Sequence, residues 1–192
     1  MKSQLNAAFM STEPMYEVQR TNNFRFVVDL SQFANNTTYA SSQIIELACD
    51  TVGLPTITND ATELDYGNSQ VKVAGKATVD DISVAVKDFI EPDVEKILWN
   101  WRLQVYNPQT GKIGWAKNYK KTCTIVQYGP NGEVTRKWQL DGCWPTSLDL
   151  GDMDYSSGDK KQITMNLSVD NAYIVRDGSN THIYGTDGEY NG

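Results

Sequence analysis

Apolar residues that alternate with polar ones over strand-length runs, turns marked by Gly and Pro, and a single stretch of helical period predict a mainly β chain. The expected architecture is a small antiparallel β-barrel or sandwich with one flanking α-helix at about 92–106. Alternation is clearest in Asn23–Leu30, where Phe24, Phe26, Val28 and Leu30 share one face and Arg25 and Asp29 the other, as in a half-buried strand.

A chain of 192 residues has room for one domain with a real core. Residues 1–20 hold no sustained period and read as an arm, 21–175 as the single β domain, and the Gly-rich 176–192 as a flexible tail. After the first strand, "QFANNTTYASS" reads as a polar loop and "QIIELACDTVGLP" as a second strand ending at Gly53 and Pro55. Residues 56–69 fit either a long loop or an extended hairpin. Val71 and Val73 sit at strand spacing before a break at Gly75, and Ile82, Val84 and Val86 resume the alternation, so these two runs are expected to form an antiparallel pair.

The one change of period is in "EPDVEKILWNWRLQVYNP", where Val94, Ile97, Leu98, Trp101 and Val105 recur at helical spacing. Pro92 and Asp93 suit its start and Asn107-Pro108 its end. Trp99 and Leu103 form a second apolar stripe, which predicts cover on more than one side. Strand signals return at Lys121–Tyr128, and the turn Gly129–Gly132, "GPNG", joins them to Val134–Leu140 as a hairpin. Trp144-Pro145 then reads as a rigid structural corner, because proline cannot donate to a sheet ladder and holds its predecessor extended. Gln162–Val169 is the last expected strand.

Composition excludes several function classes. Hydrophobic residues at 40% and charged residues at 21% describe a globular protein, and no apolar run is long enough to span a bilayer. The N-terminus lacks the apolar core of a secretory signal, so synthesis and function in a cytosol-like compartment are expected, and the "NTT" and "NLS" acceptor patterns at Asn36 and Asn166 carry no weight. Cys49, Cys123 and Cys143 are far apart and without His partners, which points to small buried side chains rather than a disulfide framework or zinc site. The net charge of −7 opposes nucleic-acid recruitment but suits a surface past which nucleic acid slides.

No residue set announces catalysis, a cofactor or a metal. The only histidine, His182, lies in the tail. "TGKIG" at Lys112 lacks the upstream glycine of a phosphate loop and reads as a turn. Asp149, Asp152, Asp154 and Asp159 bring calcium to mind, but counting from Asp152 puts Ser157 and Ile163 where a calcium-binding helix–loop–helix needs Gly and Glu, so a solvated acidic loop is expected. "WAKNYKK", Trp115–Lys121, resembles a nucleic-acid surface only superficially and reads as a strand end with solvated lysines.

The order of "NFRFVVDL", "IELACDTVGLP", "LDYGNSQVKVAGKATVDDISVAVKDF", the helix "DVEKILWNWRLQV", the "GPNG" hairpin and "LDGCWPTSLDLGDMDYSSGDKKQITMNLSVD" resembles the tail tube proteins of contractile-tailed bacteriophages, over roughly 16–172. Its most specific elements are Val73-Ala74-Gly75 followed by Asp80-Asp81, and Gly142-x-Trp144-Pro145. The resemblance implies a phage tail tube-like β fold and a non-enzymatic virion tail component assembled in the host cytoplasm. It further implies hexameric rings stacked into a tube, through which DNA passes without specific binding. The implied partners are the subunit itself, a tail sheath, and baseplate and tail-terminator proteins. The chain departs from the family pattern before Tyr16 and after Tyr173. Within this reading the extended segment of Thr58, Asn59, Asp60, Glu63, Leu64, Asp65 and Tyr66 is expected to reach a neighbouring ring, and the acidic charge to line the lumen. Two alternatives stand beside it: the tube subunit of a bacterial contractile injection system, and a monomeric carbohydrate-binding β module whose ligand would explain the many Trp and Tyr.

Overall fold

In the computed structural model, which describes residues 18–33, 41–91, 93–156 and 158–175, the first alternating run is strand β1 (Phe24–Val28), with Phe26 and Val28 in the core. A short 3₁₀ turn (Ser31–Phe33) follows. The next segment corrects the sequence reading: "QIIELA" belongs to helix α1 (Ser41–Ala48), and only Cys49–Val52 is strand, β2. Ile44, Ile45 and Ala48 are buried while Leu47 is 73% exposed, which is the pattern of a helix face. The helix is two turns long, too short for its period to stand out against the β-forming isoleucines.

Strands β3 (Ile57–Tyr66) and β4 (Ser69–Val79) form a long hairpin, closing as a two-residue turn at Gly67-Asn68. Gly67 takes a φ of 59°, the left-handed conformation such turns need. The run at Val71 and Val73 therefore pairs with β3, not with β5 (Ile82–Lys87), which pairs with Gln162–Leu167 and with β2. Gly75 does not break β4. It lies at a bulge in the register, where a Cβ would stand 2.7 Å from the carbonyl oxygen of Asp60.

Helix α2 (Val94–Val105) occupies the span its period predicts. Asp93 caps it by accepting from the Lys96 amide at 2.8 Å, and Val94, Ile97, Leu98 and Trp101 are buried. Two-residue strands β6 (Tyr106–Asn107) and β7 (Lys112–Ile113) form a tight turn after it. "WAKNYKK" then contributes a helical turn, α3 (Ala116–Tyr119), before a strand begins at Lys121.

Strands β8 (Lys121–Tyr128) and β9 (Val134–Asp149) form the expected "GPNG" hairpin, followed by β10 (Gln162–Ser168) and β11 (Asn171–Val175), which the alternation did not flag. The main sheet runs β1-β8-β9-β10-β5-β2, with β11 also on β9, and every pairing is antiparallel. Among the described residues its end strands β1 and β2 do not pair, so hydrogen bonds do not close the sheet into a barrel. The core that it wraps includes Phe26, Leu30, Ile45, Leu98, Trp101, Ile125, Leu140 and Met165.

Sixteen-residue β9 shapes the fold. Up to Cys143 its partners are β8 and β11, and from Trp144 onward its partner is β10. Trp144-Pro145 thus lies inside one strand, not between two. Gly142, at φ 70°, supplies the backbone bend. Pro145 faces Leu167 beside a shift of register, with Thr146 as the extra residue, so its missing N–H falls where the ladder is already broken.

Candidate assembly surfaces

The β3–β4 hairpin is the feature that one copy of the chain leaves without cover. Every residue of β3 is exposed, including Thr58, Asn59, Asp60, Glu63, Leu64, Asp65 and Tyr66, so the structure collects all the residues singled out in this segment on one projecting strand. Apart from Val79 at the base of β4, which packs against the core, the two strands pack mainly on each other among the described residues. Ten residues at about 3.3 Å each reach roughly 33 Å.

Register divides the hairpin into unlike faces. On one, Glu63 opposes Lys72 at 2.9 Å, with Asp65 opposite Gln70 and Ala61 opposite Ala74. On the other, Thr62 opposes Val73, Leu64 opposes Val71 and Tyr66 opposes Ser69. Leu64, Tyr66, Val71 and Val73 are 41%, 65%, 47% and 42% exposed. Adjacent apolar side chains in water on a projecting hairpin mark a surface built to be covered.

A second open area follows α2. The stripe of Trp99 and Leu103, expected to be covered, is left open by the single chain: Trp99 is 43% exposed and lines a groove with Arg102, Leu103, Tyr106, Pro108 and Leu148. Ion pairs hold the neighbouring loops. Asp50 receives Lys87 at 3.0 Å and also Lys160, and these lysines hold its carboxyl below the usual range. Lys161 bridges Asp88 at 3.0 Å and Glu95, and its ammonium is raised by those carboxylates.

The remaining sequence candidates stay apart from these surfaces or from one another. Trp144 is half-buried, its ring edge-on to Tyr119 at 5.8 Å, and Pro145 is buried. Asp149 and Asp154 accept hydrogen bonds from Gly151 and Ser156 two residues on, which makes them turn-forming side chains in an exposed loop. Cys123 and Cys143 are buried, and a hydrogen bond between the two thiols together with desolvation raises the Cys123 pKa. Desolvation pushes the Cys49 thiol up to about 12. His182 and Asn36 lie outside the described residues.

The fold is shared with known proteins. The model of the T4-like virus tail tube protein gp19 family matches residues 22–172. The chain belongs to this family. It is 26% identical to the tail tube protein gp19 of Enterobacteria phage T4 over 140 residues, covering 71% of this chain and 80% of that protein. Among solved structures, a chain of the sheath–tube complex of an extracellular contractile injection system, PVC, superposes with a TM-score of 0.61 at 17% identity, over 88% of this chain and 97% of the other. A chain from the sheath/tube terminator of the same system gives 0.60 at 19% identity, over 82% and 96%. As a tail tube protein of this phage family, the chain is a structural component of a virion tail.

Proposed function

We propose that this tail tube protein forms hexameric rings that stack into a hollow tube, through whose lumen the genome passes without specific binding. The observation that carries the reading is the β3–β4 hairpin, whose apolar face of Leu64, Tyr66, Val71 and Val73 stands exposed among the described residues. A second copy is the occupant: Thr58–Tyr66 reaches the next ring, and the unpaired edges of β1 and β2 meet neighbouring sheets, which removes the hazard that open edges carry. A tail sheath surrounds the tube, and baseplate and tail-terminator proteins bound its ends. The role is structural, without catalysis.

Net charge supports passage. Six copies multiply the formal charge of −7 sixfold per ring, and carboxylates along the lumen repel the phosphate backbone so that DNA slides. The same fold in injection-system chains supports a tube subunit of such a system as the second reading.

Negative-stain electron microscopy over a concentration series tests this. Rings or stacked hollow tubes are the expected result. Compact monomers at every concentration, with and without a baseplate nucleus, would overturn it.

A further inference from the structure

We propose that the layer formed by α2, the β6–β7 turn and α3 docks an acidic, apolar-bearing segment of a different protein. From Lys96 to Gly132 the chain carries six basic residues, Lys96, Arg102, Lys112, Lys117, Lys120 and Lys121, and no acidic one, in a protein whose net charge is −7. Charge is therefore segregated: the one acidic residue of α2, Glu95, is held by Lys161, and the rest of this layer is positive on a molecule that is otherwise strongly negative.

The structure shows which of these cations are committed. Lys120 pairs with Asp170 at 2.5 Å, and Lys121 sits over the Phe33 ring at 5.2 Å. Lys96, Arg102, Lys112 and Lys117 pair with no carboxylate among the described residues. Large apolar side chains stand exposed in the same layer: Trp99 at 43%, Tyr106 at 42%, Ile113 at 78% and Trp115 at 77%. Arg102 shares the groove of Trp99, Leu103 and Tyr106, the mixture of Trp, Tyr and Arg that concentrates binding energy at protein interfaces.

The groove selects among occupants. Duplex DNA would meet the repulsion of the whole molecule, and the groove's apolar floor of Leu103, Pro108 and Leu148 gives a phosphate backbone nothing to bind. The hairpin of a second copy is poorly matched. Its Glu63 is already neutralised by Lys72, and its exposed apolar face carries Leu64, Tyr66, Val71 and Val73 without a carboxylate row. An acidic segment with apolar anchors satisfies both the free cations and the open aromatics.

The test uses the full chain and three probes: a synthetic helical peptide with Glu and Leu on one face, its Gln-for-Glu counterpart, and duplex DNA. Titrations are followed by tryptophan fluorescence and calorimetry. The Glu peptide is expected to bind, to weaken with added salt, and to exceed the Gln peptide by about tenfold or more. Arg102→Glu with Lys117→Glu should lose about tenfold with an unchanged unfolding midpoint, and Trp99→Ala should lose binding of both peptides. Should the charge reversals unfold the chain, Arg102→Gln with Lys117→Gln carries the same comparison. Equal binding of the two peptides, indifference to these substitutions, or tighter binding of DNA would overturn the inference. So would a change of sedimentation mass caused by Trp99→Glu, because a second copy would then be the occupant.

Discussion

Two tryptophans show how burial sets the cost of a substitution. Trp101 is fully buried and donates its indole N–H to the Tyr119 carbonyl at 2.7 Å, so Trp101→Ala should cost about 3–5 kcal/mol in a urea titration. Trp144, half-buried against Tyr119, should cost less, about 1–3 kcal/mol. Gly142 is a backbone requirement: at φ 70° an L side chain is strained, and a Cβ would collide with the Asp170 carboxylate that holds Lys120. Asp50 supplies the pH dependence. Its folded pKa lies below the ordinary carboxylate value of 3.8, so the unfolded chain takes up the proton first. The stability it contributes is present above that value and is lost as pH falls through the lowered one. Asp50→Asn should therefore unfold at lower urea than the parent at neutral pH, and the two midpoints should converge in acid.

At the scale of the element, the hairpin separates folding from assembly. Because Leu64 and Tyr66 are exposed at the far end of the hairpin from the core, Leu64→Asp with Tyr66→Asp should leave monomer stability within about 0.5 kcal/mol while abolishing tubes in electron micrographs. Tubes of normal length from this variant would remove the hairpin from the assembly contact. Helix α2 makes the opposite case. Its cap and buried stripe belong to the folded monomer, and Asp93→Ala should cost about 1 kcal/mol whatever the assembly state. The two elements also differ in how far sequence exposed them. Three turns of α2 state their period clearly, whereas α1 has two turns with adjacent isoleucines, and the same residues fit either period.

For the molecule as a whole, the organising fact is one sheet whose longest strand, β9, serves two sets of partners. Its switch at Gly142–Trp144 turns the sheet around a core of Phe26, Trp101 and Leu140, and leaves β1 and β2 as edges. The Gly-x-Trp-Pro motif was legible as a place where the chain changes course, but not as the interior of a strand. The strand content, the one long helix and the family were readable from residue order, because periodicity and motif spacing are properties of neighbours along the chain. Which strand pairs with which, that β4 turns back on β3, that β11 exists, and that four cations in the α2–α3 layer pair with no carboxylate among the described residues were decided only in three dimensions. Register, burial and charge pairing join residues far apart in sequence, and no local pattern records them.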